Sequence, residues 1–172
     1  MALNNVHAKI LIPFVNETIK ILDEMTELNA TAGEGVQQEI SDFDFKGYAV
    51  CVVARTYGSI EGKIIMNHQT KSALTIGNRF RAKMFGEPCN IDTINEEIGE
   101  ALTEFSNTII GLATRHLSDS SSQLNFSAPL FINGPRDMDY ILEGVKEIFS
   151  IPIDIKGVGT FSFSYLLHDK SG

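Results

Sequence analysis

Apolar residues in this chain recur with two periods, and its elements are marked where one period gives way to the other. From Val6 to Leu28, the residues Ile10, Phe14, Ile19, Leu22 and Met25 fall at helical spacing, and Pro13 marks an early kink or a later start. Asn29 to Gly35 is small and polar, as loops are. Three strands are predicted next, over about Val36–Ile40, Gly47–Arg55 and Ser59–Asn67, with Tyr57-Gly58-Ser59 as the turn between the last two. Helical spacing returns over Thr70–Phe85, with Gly77 as its weak point. After a break at Pro88-Cys89-Asn90, Asp92 is placed to cap an amphipathic helix within Ile91–Leu117, whose early Glu96 and Glu97 suit a positive helix end. Ser118–Ser122 is a polar connector, Gln123–Ile132 a strand, Asn133–Arg136 a turn and Asp137–Glu143 a short helix. Ile151, Ile153 and Ile155, then Phe161, Phe163 and Tyr165, alternate as a closing hairpin about Lys156–Gly159. This order predicts an α+β fold, long helices packed on a largely antiparallel β-sheet, with residues 1–172 as one domain.

The long helix carries the sharpest signal. At about 100° per residue, Ile98, Leu102, Phe105, Ile109 and Leu112 fall within roughly 40° of one direction and form an apolar stripe. Glu100, Glu104, Asn107 and Gly111 lie together on nearly the opposite side, roughly 180–240° away. A carboxylate and a carboxamide three residues apart are neighbours on a helix and can reach into one partner together. Gly111 costs about 1 kcal/mol relative to Ala inside a helix, and on the wet face it gains no core packing in return. What a glycine there does provide is close approach by another surface. A second Glu-x-x-Asn, Glu87-Pro-Cys-Asn90, has Pro directly after the Glu and reads as a loop or cap.

Composition narrows the functional classes. A net charge of −8 argues against nucleic acid and against an anionic membrane surface, since both call for clustered Lys and Arg. No apolar run approaches the ~20 residues needed to span a bilayer, and no signal-like segment opens the chain, so a cytoplasmic location is expected. The cysteines are Cys51 and Cys89 alone; Cys51, inside Ala49–Val53, reads as a buried thiol. The histidines, at 7, 68, 116 and 168, are dispersed, and His116 reads as a partly buried, satisfied side chain. No metal-type spacing, Walker A sequence, Rossmann fingerprint or G-x-S-x-G context occurs. The aromatic strand at Phe161, Phe163 and Tyr165 reads as sheet core, or alternatively as an edge that pairs with a second copy.

The run Glu104-Phe-Ser-Asn107-Thr-Ile-Ile-Gly111, followed by Leu124-Asn-Phe-Ser-Ala-Pro129 and Gly134-Pro135, resembles the CheX and CheC family of chemotaxis phosphatases. The opening Ile10-Leu-Ile-Pro13-Phe14 to Leu22 is similar to that family's first helix, and a single motif fits CheX better than CheC. Family members often carry Asp or Ser where this chain has Glu100. The resemblance implies hydrolysis of the phospho-aspartate of a CheY-like response-regulator receiver. In that reading Asn107 positions the attacking water and Glu104 pairs with the receiver's Lys, while Glu100, Gly111 and Pro129 serve the docking surface. It also implies no cofactor of the chain's own, Mg²⁺ being supplied by the bound receiver, and a homodimer. The alternative is a non-catalytic adaptor on the same fold, as in flagellar rotor components; the short chain, without added rotor-binding segments, is expected to favour the enzyme.

Overall fold

The computed structural model describes residues 5–43, 47–117, 124–134 and 139–168. In chain order these form α1 (Asn5–Thr26), β1 (Ala30–Ala32), β2 (Val36–Gln38), β3 (Val50–Gly58), β4 (Gly62–His68), α2 (Thr70–Phe85), α3 (Glu96–Leu117), β5 (Leu124–Phe126), β6 (Leu130–Asn133), β7 (Val145–Ile155) and β8 (Gly159–His168). All strand pairs are antiparallel. The sheet runs β1–β7–β8–β4–β3–β5, with β2 also on β7 and β6 also on β3. The fold is thus α+β, as expected. The serine connector at 118–122 lies outside the described residues, as do parts of the predicted 133–136 turn and 137–143 helix. A 3-10 turn, Asp139–Ile141, is what the structure describes of the latter.

Alternation along the strands gives the sheet two buried faces. Val50, Val52, Ala54, Ile64, Met66, Phe161, Phe163 and Tyr165 face the three helices and join Phe14, Phe80, Phe105 and Leu102 in the main core. Each such fully buried large side chain is worth about 1.5–3 kcal/mol relative to exposure. On the opposite face Cys51, Ile65, Ile148 and Leu166 pack with Phe43 and Ile141 in a smaller cluster. The buried-thiol reading of Cys51 holds, and burial pushes its thiol up to about 12. Strand β8 is interior, between β7 and β4, so Phe161, Phe163 and Tyr165 are core and the edge reading for them is corrected.

Several boundaries depart from the periodicity. Helix α1 runs through Pro13 because Leu11, Phe14 and Val15, on either side of it, are buried against the sheet and neighbouring helices; this burial offsets the missing N–H and the crowding of the ring against the preceding turn. Residues 30–32, read as loop, pair with Ile153–Ile155 as β1, since β7 presents a long ladder edge that even small side chains can use. The turn after β3 comes later than expected, since β3 continues to Gly58. The predicted strand Gln123–Ile132 is two strands. Phe126 pairs with Thr56 and Leu130 with Val53, so Ser127, Ala128 and Pro129 face only Ala54 and Arg55. Pro129 has no N–H to offer the ladder, and Ser127 substitutes: its Oγ accepts from Arg55 N, and its N donates to Arg55 O, both at 2.9 Å.

Candidate active site

Helix α3 presents the two residue sets on opposite sides. Ile98, Leu102, Phe105 and Ile109 are fully buried, and Leu112 sits at the margin of the stripe. Glu100, Glu104, Asn107 and Gly111 are all exposed. Between Glu104 and Asn107, Phe105 meets Phe80 edge-on at 5.7 Å, and Ser106 donates to Leu102 O at 2.8 Å. The pair is therefore carried on a turn whose other two residues are locked in the core. Its Cβ atoms stand about 5–6 Å apart by helix geometry. Thr103 and Thr108 fold their hydroxyls back onto Gly99 O and Glu104 O, at 2.8 and 2.9 Å. This leaves the Glu104 carboxylate and the Asn107 carboxamide as polar heads with no hydrogen bond to another described side chain.

The platform under the pair is held at both ends. Its cap is Asn95, whose Oδ1 accepts from Ile98 N at 3.0 Å, and not Asp92. The reason lies in the preceding helix: Asn78 accepts from Ile91 N at 2.7 Å and donates to Ile91 O at 2.8 Å, which keeps the connector extended past Asp92. Glu97 pairs with Arg81 of α2 at 2.6 Å. At the far end, His116 meets the Glu17 carboxylate of α1 at 2.9 Å. His116 is thus satisfied, as expected, but its side chain is 61% exposed, which corrects the expectation of a partly buried ring.

Two glycines of α3 do different work. A Cβ on Gly99 would come within 2.7 Å of the Phe131 ring, so Gly99 is where β6 packs against the helix. A Cβ on Gly111 would meet nothing within 4 Å, so Gly111 is open to any docking surface. Pro129 is half-buried in the interruption between β5 and β6, two strands that both contact α3. The Glu87–Asn90 copy lies in the connector after α2, which ends at left-handed Gly86. Among the described residues no three His, Cys, Asp or Glu side chains are grouped to hold a metal ion, and no helix is long and apolar enough to cross a membrane.

Asn95, Gly99 and the pair Arg55 and Lys63, cross-strand partners on β3 and β4, carry no signal in the apolar periodicity. Asn95 was legible as a cap type but was outranked by Asp92; Arg55 and Lys63 were legible only as lone charges inside apolar strands.

The sequence model of the family described as chemotaxis phosphatase CheX matches residues 50–154, a span that contains Glu104, Asn107 and Pro129. A search of curated proteins finds no sequence match. The fold is similar to CheX from Desulfovibrio desulfuricans, at 19% identity and a TM-score of 0.70 over 93% of this chain and 99% of that one. It is similar to a chain of the CheX–CheY–BeF3–Mg²⁺ complex from Borrelia burgdorferi, at 20% identity and a TM-score of 0.71 over 93% and 98%. It also resembles FliY from Thermotoga maritima, at 17% identity and a TM-score of 0.67 over 98% and 92%.

Proposed function

The chain belongs to the CheX family of chemotaxis phosphatases, and on that premise we propose that it hydrolyses the phospho-aspartate of a CheY-like receiver, with Glu104 and Asn107 as the catalytic pair. The observation that carries this reading is the exposed Glu104–Asn107 pair on a turn anchored by Phe105 and Ser106, beside the open Gly111. The Borrelia complex of a CheX with a CheY supports a receiver as the partner.

The chemistry suits these side chains. An aspartyl phosphate is an acyl phosphate and needs no strong base. Water attacks phosphorus in line, the P–O bond to the aspartyl carboxyl breaks, and the products are inorganic phosphate and the free carboxylate. The water's proton leaves with solvent or phosphate. The Asn107 carboxamide has a donor and an acceptor together and can hold that water in line. Glu104 has the charge to pair with the receiver's Lys, fixing the register of docking. Positioning is most of what phosphoryl transfer asks of a protein. Mg²⁺ belongs to the receiver in this reading and neutralises phosphoryl charge there. Glu100 and Gly111 extend the docking face along α3, and Pro129 shapes its surroundings through the β5–β6 interruption. Two copies pair through one of the open sheet edges, β1–β2 or β5–β6, which sedimentation tests.

The test is phosphate release from phosphorylated receivers with the wild type and Asn107→Ala. We expect the variant to bind but to lose on the order of 100-fold in rate, the typical cost of a misplaced reactant. Receiver dephosphorylation at the wild-type rate by Asn107→Ala would sink the catalytic assignment. The likeness to FliY keeps a second reading in view, an adaptor that docks receivers without hydrolysis. An adaptor would bind without accelerating release at all.

A further inference from the structure

The sheet face turned away from the helices holds a feature independent of the Glu104–Asn107 pair. Ala54 and Ile64 belong to the helix-side core, so by alternation Arg55 and Lys63 point to the other face. They are direct cross-strand partners in the β3–β4 register. Directly opposed side chains have Cβ atoms about 4.5–5.5 Å apart, and like charges so placed destabilise a sheet. Arg55 is exposed to solvent, but Lys63 is only 7% exposed, so screening reaches the pair from one side. Its ammonium donates to Ile141 O at 2.7 Å and to Tyr140 O at 3.4 Å, both neutral acceptors. Neither cation takes part in the Arg81–Glu97 or the His116–Glu17 ion pair. Burial and then Arg55 hold the Lys63 pKa below its ordinary value, with Glu143 opposing.

A cavity of about 640 Å³ opens against this pair where β5 gives way to β6. Among the described residues Arg55 and Lys63 are its only charged lining; the rest of the described wall is mainly apolar, with Val53, Leu130 and Ile132. A second space of about 440 Å³ shares both cations and adds His168, Glu61 and Glu143. His168 Nε2 is buried there without a hydrogen-bond partner. A protein of net charge −8 has therefore set two opposed cations between a mainly apolar cavity, with no carboxylate among its described lining residues, and a neighbouring space that carries Glu61 and Glu143. The cavity volume lies within the range of small-molecule sites, about 300–1,000 Å³.

We propose that this cavity binds a small organic anion, its carboxylate or phosphate head held between Arg55 and Lys63 and its apolar body against Val53, Leu130 and Ile132. The Arg55 guanidinium offers a fork that matches either head, and Lys63 supplies a point charge. A bound anion also cancels the repulsion across β3 and β4, so the site gains most when it is filled.

Calorimetric titration with phenylacetate and with phenyl phosphate tests this, and tells the two heads apart. Phenylacetamide and inorganic phosphate serve as controls for charge and for the apolar body. At least one aromatic anion should saturate at low-millimolar concentration or below. The neutral amide and inorganic phosphate should bind more weakly by roughly tenfold or more, the worth of a charged hydrogen bond. Arg55→Gln, at an exposed position, should stay folded, lose the same factor in affinity and melt higher than wild type when no anion is present. The proposal is overturned if neither aromatic anion saturates, or if either control binds as well as they do. Unchanged affinity in Arg55→Gln, or a lower melting point for it without ligand, overturns it equally.

Discussion

Gly99 and Gly111 stand in the same helix, and replacing each by Ala should move stability in opposite directions. The intrinsic term is the same for both: Ala is better than Gly in a helix interior by about 0.8–1.0 kcal/mol. At Gly111 nothing opposes it, because the added methyl has open space around it. The variant should gain about 1 kcal/mol, which for a domain of this size is a rise of about 2–4 °C in Tm. At Gly99 the methyl would sit 2.7 and 2.8 Å from two atoms of the Phe131 ring, a stiff neighbour that must move with β6. Overpacking costs about 1–3 kcal/mol, so after the helix gain the net change is a loss of up to about 2 kcal/mol. Urea denaturation of both variants measures this, with equal slopes as the check that only stability has changed. The proposed function adds a second readout for Gly111→Ala: a more stable protein that dephosphorylates its receiver more slowly, because the methyl props the docking surface away. A Gly99→Ala protein about 1 kcal/mol more stable than wild type, as at Gly111, would refute the packing argument. A Gly111→Ala protein that is more stable and fully active would show that the open glycine does not serve docking.

Asn95→Ala should cost about 1 kcal/mol in stability through loss of the cap to Ile98 N, whereas Asp92→Ala should be near neutral; equal effects would return the cap to Asp92. His68 is fully buried, stacked on Phe161 at 4.8 Å, and neither ring nitrogen has a partner, so burial depresses its pKa from 6.5 to about 3. A depressed folded pKa means that the unfolded chain binds the proton first as pH falls. The His68 contribution to stability is therefore complete above about 6.5 and is lost as pH drops toward about 3. In that window the single group adds a slope of up to about 1.4 kcal/mol per pH unit. His68→Phe should flatten that acid limb in urea titrations at several pH values, and an unchanged limb would refute it.

The long helix, its apolar stripe and its polar face could be read from the sequence, because a 3.6-residue period repeated over six turns leaves one solution for which side is buried. The same holds for the closing hairpin, whose strict alternation on both strands matches the observed β7–β8 ladder. Helix α2 was legible to its ends, since Gly86 stops it by taking the left-handed conformation. Other features depended on partners far away in the chain. Ala30–Ala32 is a strand only because β7 is there to pair with it. The split of the 123–132 segment follows from a Pro and a Ser set against Arg55, and Asn95 becomes the cap because Asn78, on another helix, holds Ile91. The juxtaposition of Arg55 with Lys63 is a matter of strand register, which no local period encodes. Local periodicity determined which side chains share a face. Tertiary structure decided which faces meet, because hydrogen bonds and like-charge contacts between distant segments exist only once the sheet has closed.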